Sequence, residues 1–198
     1  MHERSLATIA SMALTTAPST RDQILARAVE LASVEGLEGL TIGRLASDLS
    51  LSKSGLFAHF GSKEGLQLAT IDEAARRFVR DVVEPALGAP EGAPRLRALC
   101  ERYLDYLERR TLPGGCFWAA VTAEFDSRPG PVRDAVRDGL AAWLAELERQ
   151  AAVAGVENPR QLIFEVWAMV QAANSRFELF EDAEAFSRAR TSIEALLP

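Results

Sequence analysis

Apolar residues recur at three- and four-residue spacing along nearly the whole chain, and no stretch shows the alternation of a half-buried strand. That periodicity confines the fold to helices. Thr20 with Gln23 reads as a capping box, Ile24, Leu25, Ala28, Leu31 and Ala32 form a first stripe, and Gly36 stops it. Thr41 caps a short helix to about Leu49, Ser52 caps another ending near Phe60, and Ser62 caps a longer one running towards Glu84. Pro85, Gly88, Pro90, Gly92 and Pro94 then interrupt the pattern and mark a domain boundary. Beyond it, Leu96, Leu99, Cys100, Tyr103 and Leu107 begin a second helical set. Pro131 opens a long helix that closes at Gly155, Asn158 and Pro159 open one through Phe180, and Asp182 caps the last. The expectation is an all-α chain of roughly nine helices.

At 198 residues and 48% hydrophobic content the chain can bury a core, and its net charge of −6 argues against a generally basic, nucleic-acid-coating protein. The charge is uneven. Residues 1–80 carry nine Lys/Arg against nine Asp/Glu, whereas 81–198 carry thirteen against nineteen. Any nucleic-acid contact must therefore come from a local patch, and Gly39–Lys63 supplies Arg44, Lys53 and Lys63 against Asp48 alone. The two cysteines, Cys100 and Cys116, are too few for a disulfide framework and have no metal-ligand spacing, which fits a reducing, cytoplasmic setting. No metal or other cofactor is expected. Residues 1–19 mimic a signal peptide only weakly and read as a disordered tail in which Met12 offers an alternative start. No apolar run approaches the length of a membrane span.

The segment Leu49–Leu66, "LSLSKSGLFAHFGSKEGL", is cationic and rich in hydroxyls. If the helix after Thr41 packs on the helix after Ser52, the positions between them must be apolar, and Leu45, Ala46, Leu49, Leu51, Leu56 and Phe60 meet that demand. The connection is only Ser50–Ser52. Two short helices joined so tightly make a helix-turn-helix, whose second helix enters the DNA major groove. Subtracting the core leaves Lys53, Ser54, Gly55, Phe57, Ala58 and His59 facing outwards, with Lys and Ser able to donate to base edges. Lys63 and Thr41 lie at helix starts, where free N–H groups and the dipole favour a phosphate. Thr41, Arg44, Lys53, Ser54, Gly55, Phe57, His59 and Lys63 are the DNA-binding candidates.

At these residues the chain resembles TetR-family transcriptional repressors: Leu45-Ala46, Ser52, Leu56-Phe57, His59-Phe60 and Lys63-Glu64-Gly65-Leu66 occupy the places of that family's DNA-binding pattern. The resemblance covers about Thr20 to Arg80. It implies a helix-turn-helix domain over 20–84, a helical ligand-binding and dimerisation domain over 95–198, a homodimer on a palindromic double-stranded operator, and release of DNA when ligand binds. Two departures stand out. The family's turn glycine is Ser50, which is strained if that position is left-handed. The family's tyrosine is Phe57, so a hydroxyl that would reach a phosphate is missing.

Residues 95–198 show no catalytic spacing, and no enzyme is expected. Tyr103, Cys116, Phe117, Trp118, Trp167 and Asn174 are the candidate lining of a mostly apolar effector pocket, with Asn174 and the Tyr103 hydroxyl to orient a ligand. The helix through Phe180 is apolar on more than one face, so Leu162, Val166, Met169, Val170, Ala173 and Phe177 are the candidate dimer interface. The resemblance implies a four-helix interface there. An alternative reading makes the protein a thiol-based redox sensor through Cys116, which follows "PGG" at a helix start where the dipole favours thiolate. The competing role for Cys116 is a small buried apolar residue.

Overall fold

The computed structural model describes residues 19–198, and over them the protein is all-α. The helices are α1 (Thr20–Gly39), α2 (Ile42–Asp48), α3 (Lys53–Phe60), α4 (Lys63–Phe78), α5 (Ala93–Glu108), α6 (Phe117–Phe125), α7 (Pro131–Val153), α8 (Pro159–Phe180) and α9 (Ala185–Leu196). After α4 the chain widens into a π-helical turn at Val79–Val83 and finishes with one tight turn at Glu84–Ala86. The helix thus stops within the Pro/Gly-rich stretch. The expected tail lies outside the described residues except for Ser19.

Caps explain the boundaries. At the start of α1 the cap is Ser19, not Thr20: the Ser19 hydroxyl accepts from the Asp22 N–H while the Asp22 carboxylate accepts from the Ser19 N–H at 2.9 Å. The capping box is therefore shifted one residue from the Thr20–Gln23 reading, because Asp22 is the shorter and charged acceptor at the right offset. Thr41, Ser52 and Asn158 cap α2, α3 and α8 as expected. The last helix starts later than expected. Glu184 is its N-cap, and Asp182 instead gathers Arg176 and Arg188 while accepting from the Glu184 N–H.

The described chain forms two compact units that do not follow chain order. One takes the residues up to Arg77 together with Leu112–Leu140; the other takes Phe78–Thr111 and Ala141–Pro198.

In the first unit, Ile24, Leu25, Ala28, Leu31 and Ala32 of α1 are buried as the stripe requires. Gly36 (φ +74°) breaks α1, and the Glu124 carboxylate of α6 accepts from the freed N–H groups of Leu37 and Glu38, each at 2.8 Å. The turn before α6 presses on α1 as well. The Gly114 N–H donates to the Ser33 hydroxyl at 3.1 Å, and a Cβ on Gly114 would collide with the Ser33 carbonyl. Only glycine admits that backbone approach.

In the second unit, α8 packs on both α5 and α9. An aromatic cluster fills its core: Phe78 meets Tyr103, Tyr106 and Trp143 edge to face, with ring centroids 5.0 to 5.9 Å apart. Arg190 of α9 ties to Glu101, Asp105 and Glu108 of α5.

The Ser33 contact sets a stability test. Gly114→Ala is expected to destabilise the protein by at least about 2 kcal/mol in urea unfolding, because neither backbone can yield. Gly88, with nothing within 4 Å of the same built atom, is the control: Gly88→Ala should change stability by less than about 1 kcal/mol. Equal effects would show that the α1 contact does not hold this unit together.

Candidate nucleic-acid interface

The first unit positions a reading head on α3. Leu56 is fully buried, as are Leu45 and Ala46 of α2, so the two short helices lock through the seam that the apolar spacing anticipates. Leu49 and Phe60 are half-buried, and Leu51 departs from the reading by being exposed. The cause is the turn. Ser50 adopts φ +54°, and Leu51 extends away after it while its N–H bonds the Ala46 carbonyl at 2.9 Å. A left-handed serine costs about 1–2 kcal/mol, so the seam holds a strained turn where glycine would relax it.

All eight DNA-binding candidates are solvent-exposed or open to solvent on this unit, and α3 presents Lys53, Ser54, Gly55, Phe57 and His59 outwards. The Phe57 ring is 55% exposed. The hydroxyls also serve the fold: Thr41 and Ser52 accept from the N–H groups of Arg44 and Gly55, and Ser52 and Ser54 share a 3.3 Å hydrogen bond.

The cations differ in availability. Lys53 has no ion-pair partner among the described residues, and its chain runs beside Gly43. Arg44 pairs with Glu35 at 3.1 Å and Asp48 at 3.3 Å, and Asp48 also holds Arg27 at 2.8 Å. The Lys63 ammonium donates to the Glu38 carbonyl at 2.8 Å and to its carboxylate at 2.9 Å. That bond, with a second from the Gln67 amide, holds the Glu38 carboxyl below its ordinary range. Lys63 is therefore engaged in the DNA-free protein. The pair is open to solvent, with side chains 42% and 47% exposed. Such pairs contribute only about 0–1 kcal/mol, so a phosphate can take the ammonium at little expense.

Sequence reasoning missed Arg21, whose guanidinium lies 5.4 Å over the Phe60 ring at the end of α3. It also missed the posts behind Lys63: Glu38, Glu124 and the buried Gln67, which donates to the Leu37 carbonyl at 2.8 Å. Arg21 carried a signal, since a cation opens α1. The posts carried none, because each joins residues far apart in the chain.

The effector candidates are split between the units. Tyr103 and Trp167 come together in the second, their rings stacked at 6.2 Å and 9°, and Asn174 lies two turns along α8 with its carbonyl oxygen buried and unpartnered. Cys116, Phe117 and Trp118 belong to the first unit, where Phe117 and Trp118 pack edge to face at 5.6 Å and the indole lies against Gly139. A cleft of about 520 Å³ opens between α7 and α8, lined by Leu144, Ile163, Phe164 and Trp167 among others. Both cysteines are buried and outside any disulfide, and burial pushes the Cys100 thiol up to about 12.

The dimer candidates need correction. Leu162, Val166, Val170 and Ala173 are buried within the protomer, and Met169 and Phe177 are half-buried, Phe177 against Phe186 of α9 at 5.0 Å. Two apolar faces cannot be ranked by periodicity alone, and the more apolar one packs inside. The outward stripe is Phe164, Ala168, Ala172, Ser175 and Leu179.

A paired set of short helices that buries one seam and turns a cationic, hydroxyl-bearing helix to solvent defines a helix-turn-helix DNA-binding protein. Residues 24–70 match the family model "bacterial regulatory proteins, tetR family", and residues 92–193 match "tetracyclin repressor-like, C-terminal domain"; the chain belongs to the TetR family of transcriptional regulators. The HTH-type transcriptional regulator TcmR of Streptomyces glaucescens is 37% identical over 91 residues, which are 43% of this chain and 39% of that relative's own length. Solved structures share the fold. A TetR transcriptional regulator from Legionella pneumophila superposes with a TM-score of 0.81 at 16% identity, over 93% of this chain and 100% of that one. One from Chloroflexus aurantiacus gives 0.79 at 26% identity, over 89% and 92%. AibR, in complex with isovaleryl coenzyme A and operator DNA, gives 0.66 at 21% identity, over 88% and 96%.

Two outcomes follow from the turn and the latch. Ser50→Gly is expected to stabilise the protein by up to about 1 kcal/mol, read by chemical denaturation, since it removes left-handed strain. Glu38→Gln, which removes the carboxylate charge from Lys63 and leaves its bond to the Glu38 carbonyl, is expected to tighten DNA binding by a factor of up to about five, the equivalent of one exposed ion pair. Unchanged affinity in a filter or fluorescence titration would show that Glu38 does not compete with phosphate.

Proposed function

We propose that this protein is a ligand-released repressor that binds a palindromic operator as a homodimer in the cytoplasm. The observation that carries the reading is the outward face of α3, where Lys53, Ser54, Phe57 and His59 stand in solvent over a fully buried Leu56. Lys53 and Ser54 sit at the helix start and suit base edges, Phe57 suits a thymine methyl group, and Thr41, Arg44 and Lys63 suit phosphates on either side. Arg21 adds a further cation at the far end of α3.

The exposed outward stripe of α8 supports a two-fold arrangement. Phe164 and Leu179 are 67% and 73% exposed at its ends, and small Ala168, Ala172 and Ser175 between them allow two helices to approach closely. The second unit is the place for an effector, and AibR, of the same fold, takes both a small molecule and operator DNA. No observation among the described residues favours the thiol switch.

Selection of bound duplexes from a random pool tests the reading. The expected product is an inverted repeat whose half-sites lie about one helical turn apart, bound by two protomers. With six to ten phosphate contacts, affinity should fall by about 10³ to 10⁵ between 50 and 200 mM salt. Lys63→Ala should weaken all sequences alike, and Lys53→Ala should also change which bases are preferred. Ala172→Glu should give a monomer in sedimentation and abolish operator binding with α-helical content intact. Recovery of no common sequence, or a monomer bound as tightly as wild type, would refute the proposal.

A further inference from the structure

Two glutamates meet at the turn that ends α1, one from α6 and one from the turn itself. Within the first compact unit α6 packs along α1. Gly36 (φ +74°) interrupts α1, and the Glu124 carboxylate accepts from the Leu37 and Glu38 N–H groups with one oxygen each, both at 2.8 Å. Bonds from backbone N–H groups to an ionised carboxylate are among the stronger hydrogen bonds a fold can use. A Cβ on Gly36 would stand 2.7 Å from a Glu124 carboxylate oxygen, so the clamp closes where only a glycine leaves room.

The clamped turn is the seat of Lys63. Its ammonium donates to the Glu38 carbonyl at 2.8 Å and to the Glu38 carboxylate at 2.9 Å, while the buried Gln67 amide ties the Leu37 carbonyl at 2.8 Å. The two Glu38 acceptors differ in kind. The carbonyl belongs to the backbone and stands wherever the turn stands, whereas the carboxylate ends a side chain that is 47% exposed and can swing away. A lysine carries its charge on a flexible four-carbon stem, and ordering that stem at a phosphate is costly unless something already holds it. Glu124 reaches Lys63 through the backbone of the turn.

We propose that Glu124 is a positioning residue for DNA binding: by clamping the Leu37–Gly39 turn it holds the Lys63 ammonium, through the Glu38 carbonyl, where a phosphate can take it. The inference rests on the reading of Lys63 as a phosphate contact. It gives the two glutamates opposite signs, since Glu38 competes with the phosphate and Glu124 prepares the cation for it. Electrostatics alone predicts otherwise: removing either negative charge from a DNA-binding unit should tighten binding.

A phosphate contact acts on all sequences alike, so the probe is a fluorescein-labelled DNA duplex of random sequence, titrated at low salt with the full-length protein. Glu124→Gln, similar in shape but able to accept from only one of the two N–H groups, is expected to weaken binding by about threefold to tenfold. In a Lys63→Ala background the same change should alter affinity by less than about twofold, as befits a residue that acts through Lys63 and not on the unit at large. Asp126→Asn makes the same change of charge two residues further along, at an exposed position, and should leave affinity unchanged or raise it. If Glu124→Gln loses helical content in circular dichroism, Gly36→Ala takes its place, because it pushes the carboxylate off the turn from the other side. Binding that is unchanged or tightened, a loss that is as large without Lys63, or an equal loss in Asp126→Asn overturns the proposal. The single variants keep the two readings apart. If Lys63→Ala weakens binding and opening the clamp does not, the role of Glu124 is refuted and Lys63 remains a phosphate contact. If Lys63→Ala has no effect, the phosphate contact is refuted and the role of Glu124 falls with it.

Discussion

The two N–H groups freed where Gly36 breaks α1 are the hinge of the DNA-binding unit. A helix that stops leaves backbone donors without partners, and a buried or half-buried end must find them elsewhere. Here the partner is the Glu124 carboxylate, which accepts both in a bidentate arrangement at 2.8 Å each. Charge-assisted bonds of this kind contribute about 1.5–3 kcal/mol apiece, far above a surface ion pair. They set the direction of the Leu37–Gly39 turn. That turn in turn offers the Leu37 carbonyl to Gln67 and the Glu38 carbonyl and carboxylate to Lys63, so the start of α4 is placed by α6 through α1. The Gly114–Ser33 backbone contact reinforces the same junction from the other end of α6.

Strength and weakness are distributed to suit a protein that must let go of itself to hold DNA. The contacts that place the reading head are buried or bidentate: the Leu45, Ala46 and Leu56 seam, the Glu124 clamp, the Gln67 amide. The contacts that occupy its cations are exposed: Lys63 with Glu38, and Arg44 with Glu35 and Asp48. An exposed pair contributes about 0–1 kcal/mol, and a phosphate offers the same charge with several acceptor oxygens. In the proposed reading the head keeps its shape while its charges change partners. This is how a chain with a net charge of −6 can present a local cationic surface without being basic overall.

What was legible in the sequence was whatever a local rule encodes. Cap residues at Thr41, Ser52 and Asn158, the stop at Gly36 and the apolar seam each involve residues within a few positions of one another, so spacing alone reveals them. The strain at Ser50 was legible only through the resemblance, which puts a glycine where this chain has serine, and the left-handed Ser50 meets that condition. The Ser19 cap was misplaced by one residue because Ser19, Thr20, Asp22 and Gln23 all satisfy the composition of a capping box, and only geometry chooses among them. The posts behind Lys63 were not legible. Glu124 meets Leu37 across 87 residues of chain, and nothing in either segment points to the other.

The same limit accounts for α8, the helix on which sequence and structure differ most. Its periodicity carries three stripes: a strongly apolar one through Leu162, Val166, Val170 and Ala173, a small-residue one through Ala168 and Ala172 with Phe164 at its end, and a polar one through Gln171, Asn174 and Glu178. Hydropathy ranks the first as the most in need of cover and is silent on whether a neighbouring helix or a second copy supplies it. Within the protomer, α5 and α9 pack on α8, and the apolar stripe goes inside. What remains outside is apolar enough to seek a partner and small enough for a close helix approach, while the polar stripe lies between the two, with Asn174 buried and Gln171 and Glu178 half-buried.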